Sequence, residues 1–330
     1  MNIFSFLRRR KPIPEPWAKY YTKEELNIKI PDISMYDQVK KSAHLYPNYI
    51  AYEYMGKKCL YKDFIEEINE WAKVFHSSGV KHGDIVTISL PNIPNVLVVL
   101  YALNKMGAIA NMVHPLSSEE EILFSLNSTK SKYLVMLNTF YNKIENVIGK
   151  SSVDAVIFAS AADYMPIYMK LFYNLSQIGK YKKYPKNNMY YSWKKFYKKY
   201  YVTNHIKFPK FCKDTPAVII HSGGTSGTPK NVVIQNRAFI LGALQENILM
   251  KNLHAGDCCL AIMPNFHGFG LSVLMHTPLA LGCYSILIPQ FDAKKFDIMF
   301  QKKKPSCVLG VPTLYEALIS NNNVKKFQKF

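Results

Sequence analysis

Paired cysteines, long apolar runs and acidic side chains are what this chain lacks. Its six cysteines (Cys59, Cys212, Cys258, Cys259, Cys283 and Cys307) are scattered through 330 residues. None stands in a Cys-x-x-Cys pair with matching histidines, which argues against a bound metal. Four sit in apolar runs and read as small buried hydrophobes of a reducing compartment. No window reaches the roughly 20 apolar residues of a membrane span. The nearest approach, residues 155–175, carries Asp163, Pro166 and Lys170. The basic run Arg8, Arg9, Arg10, Lys11 follows a short apolar stretch instead of preceding a longer one, so no signal peptide is read and a cytoplasmic setting is expected.

Acid is scarce in a concentrated way. Lys and Arg number 42 against 23 Asp and Glu, a net charge of +19. Residues 164–213 hold twelve Lys and no Asp or Glu, interleaved with Tyr, Phe and Trp193. Two readings stay open: a patch for peripheral contact with an anionic membrane, or a chain-wide fondness for Lys, Asn, Tyr and Ile. Nucleic acid is not expected as a partner, because Arg is absent from the stretch and no nucleic-acid motif appears.

What is present centres on one segment. An apolar run, Ala217, Val218, Ile219 and Ile220, leads through His221 into Ser222, Gly223, Gly224, Thr225, Ser226, Gly227, Thr228, Pro229 and Lys230. Glycines let successive N–H groups turn toward one point, hydroxyls add donors, and the lysine adds a mobile charge; together they build a cradle for a polyphosphate. A Walker loop needs Gly before the Lys, Ser or Thr after it, and then a helix. Here Pro229 precedes Lys230, Asn231 follows, and Val232, Val233 and Ile234 read as a strand. The predicted arrangement is therefore an open loop between two strands.

Residues 1–33 read as a basic, Pro-containing extension and residues 34–330 as one large domain. Within the latter, Phe64, Ile65, Ile68, Trp71, Ala72 and Phe75 follow helical spacing up to Gly79 at C′. A buried helix is predicted from Val96 to a stop at Gly107, and Ser118-x-x-Glu121 is a capping box. Short strands are predicted at residues 133–137 and 153–158, and others near Ala217, Cys258, Tyr284 and Cys307, alternating with helices from about Gln235, Phe269, Ala293 and Pro312. Strands separated by single helices imply an α/β fold of layered parallel sheets.

The segment from Ser222 to Lys230 resembles the signature loop of the AMP-forming adenylate synthetases, which include acyl-CoA synthetases; Asn231 departs from the Gly usual there. The segment Pro264, Asn265, Phe266, His267, Gly268 resembles the family's Pro-x-Phe-His motif, and Leu309, Gly310, Val311, Pro312 its later strand-to-helix turn. Gly79 to Asp84, the apolar run after it, and Pro91-Asn92 resemble its first strand. The resemblance implies an N-terminal adenylate-forming domain of two sheets with helices between them, incomplete, with the C-terminal lid, the adenine site and a late catalytic Lys absent. One sheet is expected mainly from residues 84–158 and the other from 217–310.

It also implies ATP, Mg²⁺ and coenzyme A as cofactors, and a carboxylic acid, by the character of residues 164–200 a fatty acid, as substrate. Ser222, Gly223, Gly224, Thr225, Ser226, Gly227 and Lys230 would hold phosphates. His267 would act at the carboxylate side, and Phe266, Gly268 and Gly310 would border the acyl pocket. Three alternatives remain: a ligase for aryl or amino acids, a non-catalytic remnant, and one piece of a split enzyme completed by a separate chain. The chain alone is expected to be inactive in thioester formation.

Overall fold

A computed structural model describes residues 15–222, 230–292 and 296–320. The chain divides between Ile30 and Pro31 into two compact units. The described part of the first holds a 3-10 turn, Ala18–Tyr20, and the one-turn helix α1, Lys23–Leu26, whose N-cap Thr22 and Glu25 form a reciprocal capping box.

The second unit opens with α2, Met35–Leu45, capped by Ser34 and Asp37, and a hairpin of β1, Ile50–Tyr54, and β2, Lys57–Leu60. Met55 and Gly56 between them take φ of 50° and 84°, the left-handed pair that a two-residue hairpin turn demands. Helix α3, Tyr61–Ser77, buries Phe64, Ile68, Trp71, Ala72 and Phe75 at the predicted spacing and stops at Gly79, φ 95°. There follow β3, Ile85–Ser89; α4, Pro94–Lys105; β4, Ile109–Met112; and α5, Glu119–Thr129. The predicted capping box of Ser118 and Glu121 opens α5. Next come β5, Tyr133–Leu137; β6, Ala155–Ala159; α6, Ile167–Ser176; β7, Tyr190–Ser192; and α7, Trp193–Tyr200. The C-terminal half holds β8, Pro216–Ser222; β9, Lys230–Gln235; α8, Asn236–Leu249; β10, Cys258–Ala261; a π-helical stretch, Phe269–His276; α9, Thr277–Ala280; β11, Tyr284–Leu287; α10, Phe296–Lys303; and α11, Pro312–Ser320.

Two sheets result. Seven strands run in the order β7-β6-β5-β3-β4-β8-β9, and four in the order β10-β11-β1-β2. Every pairing is parallel except β8 with β9 and β1 with β2. The expected division of the chain between sheets is corrected on two points. Strands β8 and β9 complete the first sheet on the open edge of β4, with Ala110 to Met112 in register with Val218 to Ile220. The second sheet recruits β1 and β2 from residues 50–60, because a lone β10-β11 pair is too small to be stable by itself. Cys307 forms only an isolated parallel bridge to Cys259.

Helix α4 is buried from Pro94 to Asn104, as a helix apolar on all sides must be. It packs on β3 and β4 on one side and on α2 and α3 on the other, while α3 reaches β1 and β2. A helical layer therefore separates the sheets. Among the described residues no helix is long and apolar enough to cross a membrane.

Within residues 182–200 of the basic segment the lysines lie at the surface and the aromatics do not. Lys182, Lys183, Lys194, Lys195, Lys198 and Lys199 are exposed. Trp193 is buried and stacks on Trp71 at 3.6 Å between ring centroids, Phe196 is fully buried, and Tyr197 donates a 2.8 Å hydrogen bond to Glu70. Trp193 therefore does not stand at the surface beside the lysines: α7 is amphipathic, and its aromatic face closes over α3.

Candidate functional site

Parallel strands present their carboxyl ends on one rim, and open α/β sheets place ligands there. In this fold the rim is held together by two carboxamides. Asn92, three residues past β3, donates to the carbonyls of Ala261 at 2.8 Å and Met263 at 2.9 Å. Asn265, beyond β10, donates from its side chain to Leu90 O at 2.8 Å, while its backbone N–H meets Asn92 Oδ1 at 3.1 Å. Both side chains are buried, and they tie the end of one sheet to the end of the other.

That clamp fixes the turn carrying Phe266 and His267. His267 N–H closes it on Pro264 O at 3.2 Å, and Gly270 packs where a Cβ would lie 2.1 Å from the same carbonyl oxygen. Phe266 is half-buried and His267 exposed. The ring of Phe266 lies 4.8 Å from that of His267 and 4.2 Å from that of His114, which follows β4.

The glycine-rich segment joins β8 to β9, and the two strands are antiparallel with Ser222 opposite Lys230 and His221 opposite Asn231. Val232, Val233 and Ile234 lie in β9, as the sequence predicts for an inter-strand loop. Gly223, Gly224, Thr225, Ser226 and Gly227 lie outside the described residues. Asn231, at the position of the departure from the signature, donates to Ser128 Oγ at 3.0 Å and so fastens β9 to α5.

Behind Ser222 stands a polar network that sequence reasoning missed. Asn111 Nδ2 donates to Thr87 Oγ1 at 2.8 Å and Ser125 Oγ at 2.9 Å, which leaves its Oδ1 to accept from His221 Nε2 at 2.7 Å. The network thereby assigns His221 the Nε2–H tautomer. Burial pushes the His221 pKa below the ordinary imidazole value. His114 is also pushed down, first by burial and then by the charge of His267, and its Nδ1 accepts from Leu116 N–H at 2.8 Å. Both imidazoles are thus set to be neutral at pH 7.

Two cavities open on this rim. One, of about 420 Å³, is walled by Ser222, His221, Ser125, His114, Phe266 and His267, with Leu116, Phe124 and Glu121. The other, of about 610 Å³, is largely apolar, lined by Tyr54, Met55, Leu137, Phe140, Met165, Tyr173, Ile262, Ile288 and Phe291 among others. His114, Leu116 and Phe266 face both. The structure therefore brings Ser222, Phe266 and His267 together, with Lys230 opposite Ser222 on the hairpin. Gly268 and Gly310 line neither cavity: a Cβ on Gly268 would meet only Ile220 Cδ1 at 4.0 Å, and one on Gly310 would meet the side chain of Leu314. His221 carried a signal nonetheless, since it directly follows the apolar run Ala217 to Ile220, which pairs in parallel with β4.

Residues 39–330 match the family of AMP-binding enzymes. The chain is 26% identical over 320 residues to a long-chain-fatty-acid–CoA ligase of Bacillus subtilis, covering 95% of this chain and 56% of that protein. It is 22% identical over 284 residues to 4-coumarate–CoA ligase 4 of Arabidopsis thaliana, covering 82% and 45%. A solved long-chain-fatty-acid–CoA ligase from Archaeoglobus fulgidus shares the fold, with a TM-score of 0.70 at 19% identity over 89% of this chain and 56% of that one. The chain spans about half the length of the curated relatives it matches. With the match running from α2 through the hairpin, the Phe266-His267 turn and beyond, this chain belongs to the AMP-binding enzyme family.

Proposed function

We propose that this chain supplies the phosphate hairpin and the acyl cavity of an AMP-forming acid–CoA ligase whose acid is a fatty acid. The observation that carries the reading is the shared wall. Ser222, at the root of the phosphate hairpin, opens on the same cavity as His267, and His114, Leu116 and Phe266 line both that cavity and the apolar one. A polar chamber for the reacting groups thus abuts an apolar chamber for a tail, both within the size range of small-molecule sites.

In the proposed reaction an anionic carboxylate attacks the α-phosphorus of ATP and pyrophosphate leaves; the thiol of coenzyme A, losing its proton, then attacks the acyl carbon of the acyl-adenylate and AMP leaves. The physical difficulty is the meeting of anions. The Ser222 hydroxyl and the Lys230 ammonium at the hairpin ends are the described groups suited to the departing phosphates, and a cation placed where charge develops lowers the barrier. Neutral His114 and exposed His267 flank the carboxylate side, where an imidazole N–H can orient it without a buried charge. Mg²⁺ enters the reading as the partner of the nucleotide's phosphates, for which hard oxygen ligands suit it. Glu121, the carboxylate on this wall, already accepts from Ser118 N–H at 2.9 Å, so no protein ligand is assigned to the ion and no step depends on one.

Calorimetry with acyl-sulfamoyl-adenosines tests the reading on the 330-residue chain. Affinity should rise from the octanoyl through the dodecanoyl to the hexadecanoyl compound. Tightest binding of a benzoyl analogue would favour an aryl-acid ligase instead, and an affinity that does not change with acyl length would remove the proposal.

A further inference from the structure

Among the described residues, helix α6 is the one long element in the first sheet's crossovers that buries none of its residues. At 100° per residue, Ile167, Tyr168, Leu171, Phe172 and Leu175 fall within an arc of roughly 140°. All five are exposed, Ile167 by 89% and Phe172 by 70%, and Ile178 just beyond the helix continues the stripe at 75%. The opposite side is formed by Met169 and Tyr173, which pack on the core, and Tyr173 with Met165 lines the 610 Å³ apolar cavity. An outward apolar stripe of this size on a water-facing helix marks an interaction surface.

The surroundings say which kind. Lys170 flanks the stripe on α6 itself, and Lys180, Lys182, Lys183 and Lys186 follow within the next ten residues after Ser176, all exposed. Lys182 pairs with Glu145 at 2.6 Å. No Asp or Glu occurs anywhere in residues 164–213. An apolar face bordered by lysines is the pattern of a helix that lies in the interface of an anionic bilayer, its side chains among acyl chains and its cations among headgroups.

We propose that α6 docks this protein onto an anionic lipid bilayer, with Ile167, Tyr168, Leu171, Phe172, Leu175 and Ile178 inserted and the neighbouring lysines on the headgroups. This differs from a purely electrostatic patch, since the aromatic face of α7 is committed to the core. It also places the bilayer on the outer side of the helix whose inner side, through Tyr173, walls the apolar cavity. The docking stands on α6 alone and does not depend on the ligase reading.

The test is sedimentation of the full 330-residue chain with phosphatidylcholine vesicles, with and without phosphatidylglycerol, in the absence of ATP, acid and coenzyme A. Binding is expected to the anionic vesicles only and to weaken with salt. The double substitution Leu171→Ser/Phe172→Ser, at exposed sites and neutral in charge, should lower partitioning on the order of tenfold with an unchanged melting temperature. The triple Lys180→Gln/Lys183→Gln/Lys186→Gln variant should lower it by at least as much. Absence of binding at low salt, or equal binding to both vesicle types, overturns the proposal. Full retention of binding by the Ser variant overturns insertion in favour of surface adsorption. A soluble dimer that the Ser variant dissociates, without vesicle binding, assigns the face to a second copy of the chain. A failed ligase assay leaves these outcomes unaffected, and the converse holds.

Discussion

Two glycines two residues apart in the same turn should respond oppositely to alanine. A Cβ on Gly270 would stand 2.1 Å from Pro264 O and 2.6 Å from both Met263 O and Pro264 C, where real Cβ atoms come no closer than 3.0 Å. The obstacle is backbone, and it cannot step aside, because Asn265 is pinned by Asn92 and Leu90 and His267 N–H is bonded to Pro264 O. Overpacking a rigid site costs about 1–3 kcal/mol, and the immobility of this turn puts Gly270→Ala at the upper end. Gly268 has helical backbone, φ −53° and ψ −38°, and open space to 4.0 Å. Gly268→Ala should therefore be neutral or stabilise by up to about 1 kcal/mol, through the unfolded chain. Urea titration reads both as shifts in midpoint at constant slope. The calorimetric affinity for the acyl-adenylate analogues should fall for Gly270→Ala only, as Phe266 and His267 are displaced. Equal midpoints for the two variants would refute the claim that the turn is packed against its own carbonyls.

Lys230→Ala should weaken ATP binding by about 10- to 100-fold, since a charge-assisted hydrogen bond to a departing phosphate is lost, and leave that of the acyl-sulfamoyl-adenosines, which lack those phosphates, little changed; an equal loss for both would place Lys230 on the wrong side of the site. Burial pushes the Glu67 pKa up to about 7, with Tyr164 Oη donating to its carboxylate. A raised folded-state pKa makes its contribution full below the ordinary carboxylate value and lost as pH climbs through 7, so wild type should lose up to about 3 kcal/mol between pH 4.5 and 8 from this group while Glu67→Gln stays flatter; urea midpoints at the two pH values decide it. Trp193→Ala removes the stack on Trp71 and should cost about 3–5 kcal/mol in the same titration; a loss under 1 kcal/mol would show that α7 is not held by its aromatic face.

The elements legible in the sequence were those whose cause is local. The capping box at Ser118, the stop at Gly79 and the apolar periodicity of α3 each need only neighbours along the chain, and each stands where predicted. Sheet membership depends on partners far away in sequence, so β8 could not be told from a founder of the second sheet. The β1-β2 hairpin was hidden because Met55 occupies a left-handed position that sequence reading assigns to Asn or Gly. For the site, Ser222, Phe266 and His267 were readable as motifs. His114 was not, because its relevance arises only when β4 and β10 end on one rim and Asn92 meets Asn265.

That carboxamide pair also sets the terms on which this fold can drift. Asn92 gives two protons to carbonyls across the sheet boundary and receives two from Asn265, one from its backbone and one from its side-chain amide. An aspartate at position 92 would turn lone pairs toward the oxygens of Ala261 and Met263, and a leucine would strand both carbonyls without a donor. Neither neighbour can adapt by itself, since the side-chain amide of Asn265 donates to Asn92 Oδ1 at 3.0 Å while each also holds a main-chain carbonyl of the opposite sheet. Positions 92 and 265, separated by 173 residues, are accordingly bound to vary as one unit or not at all.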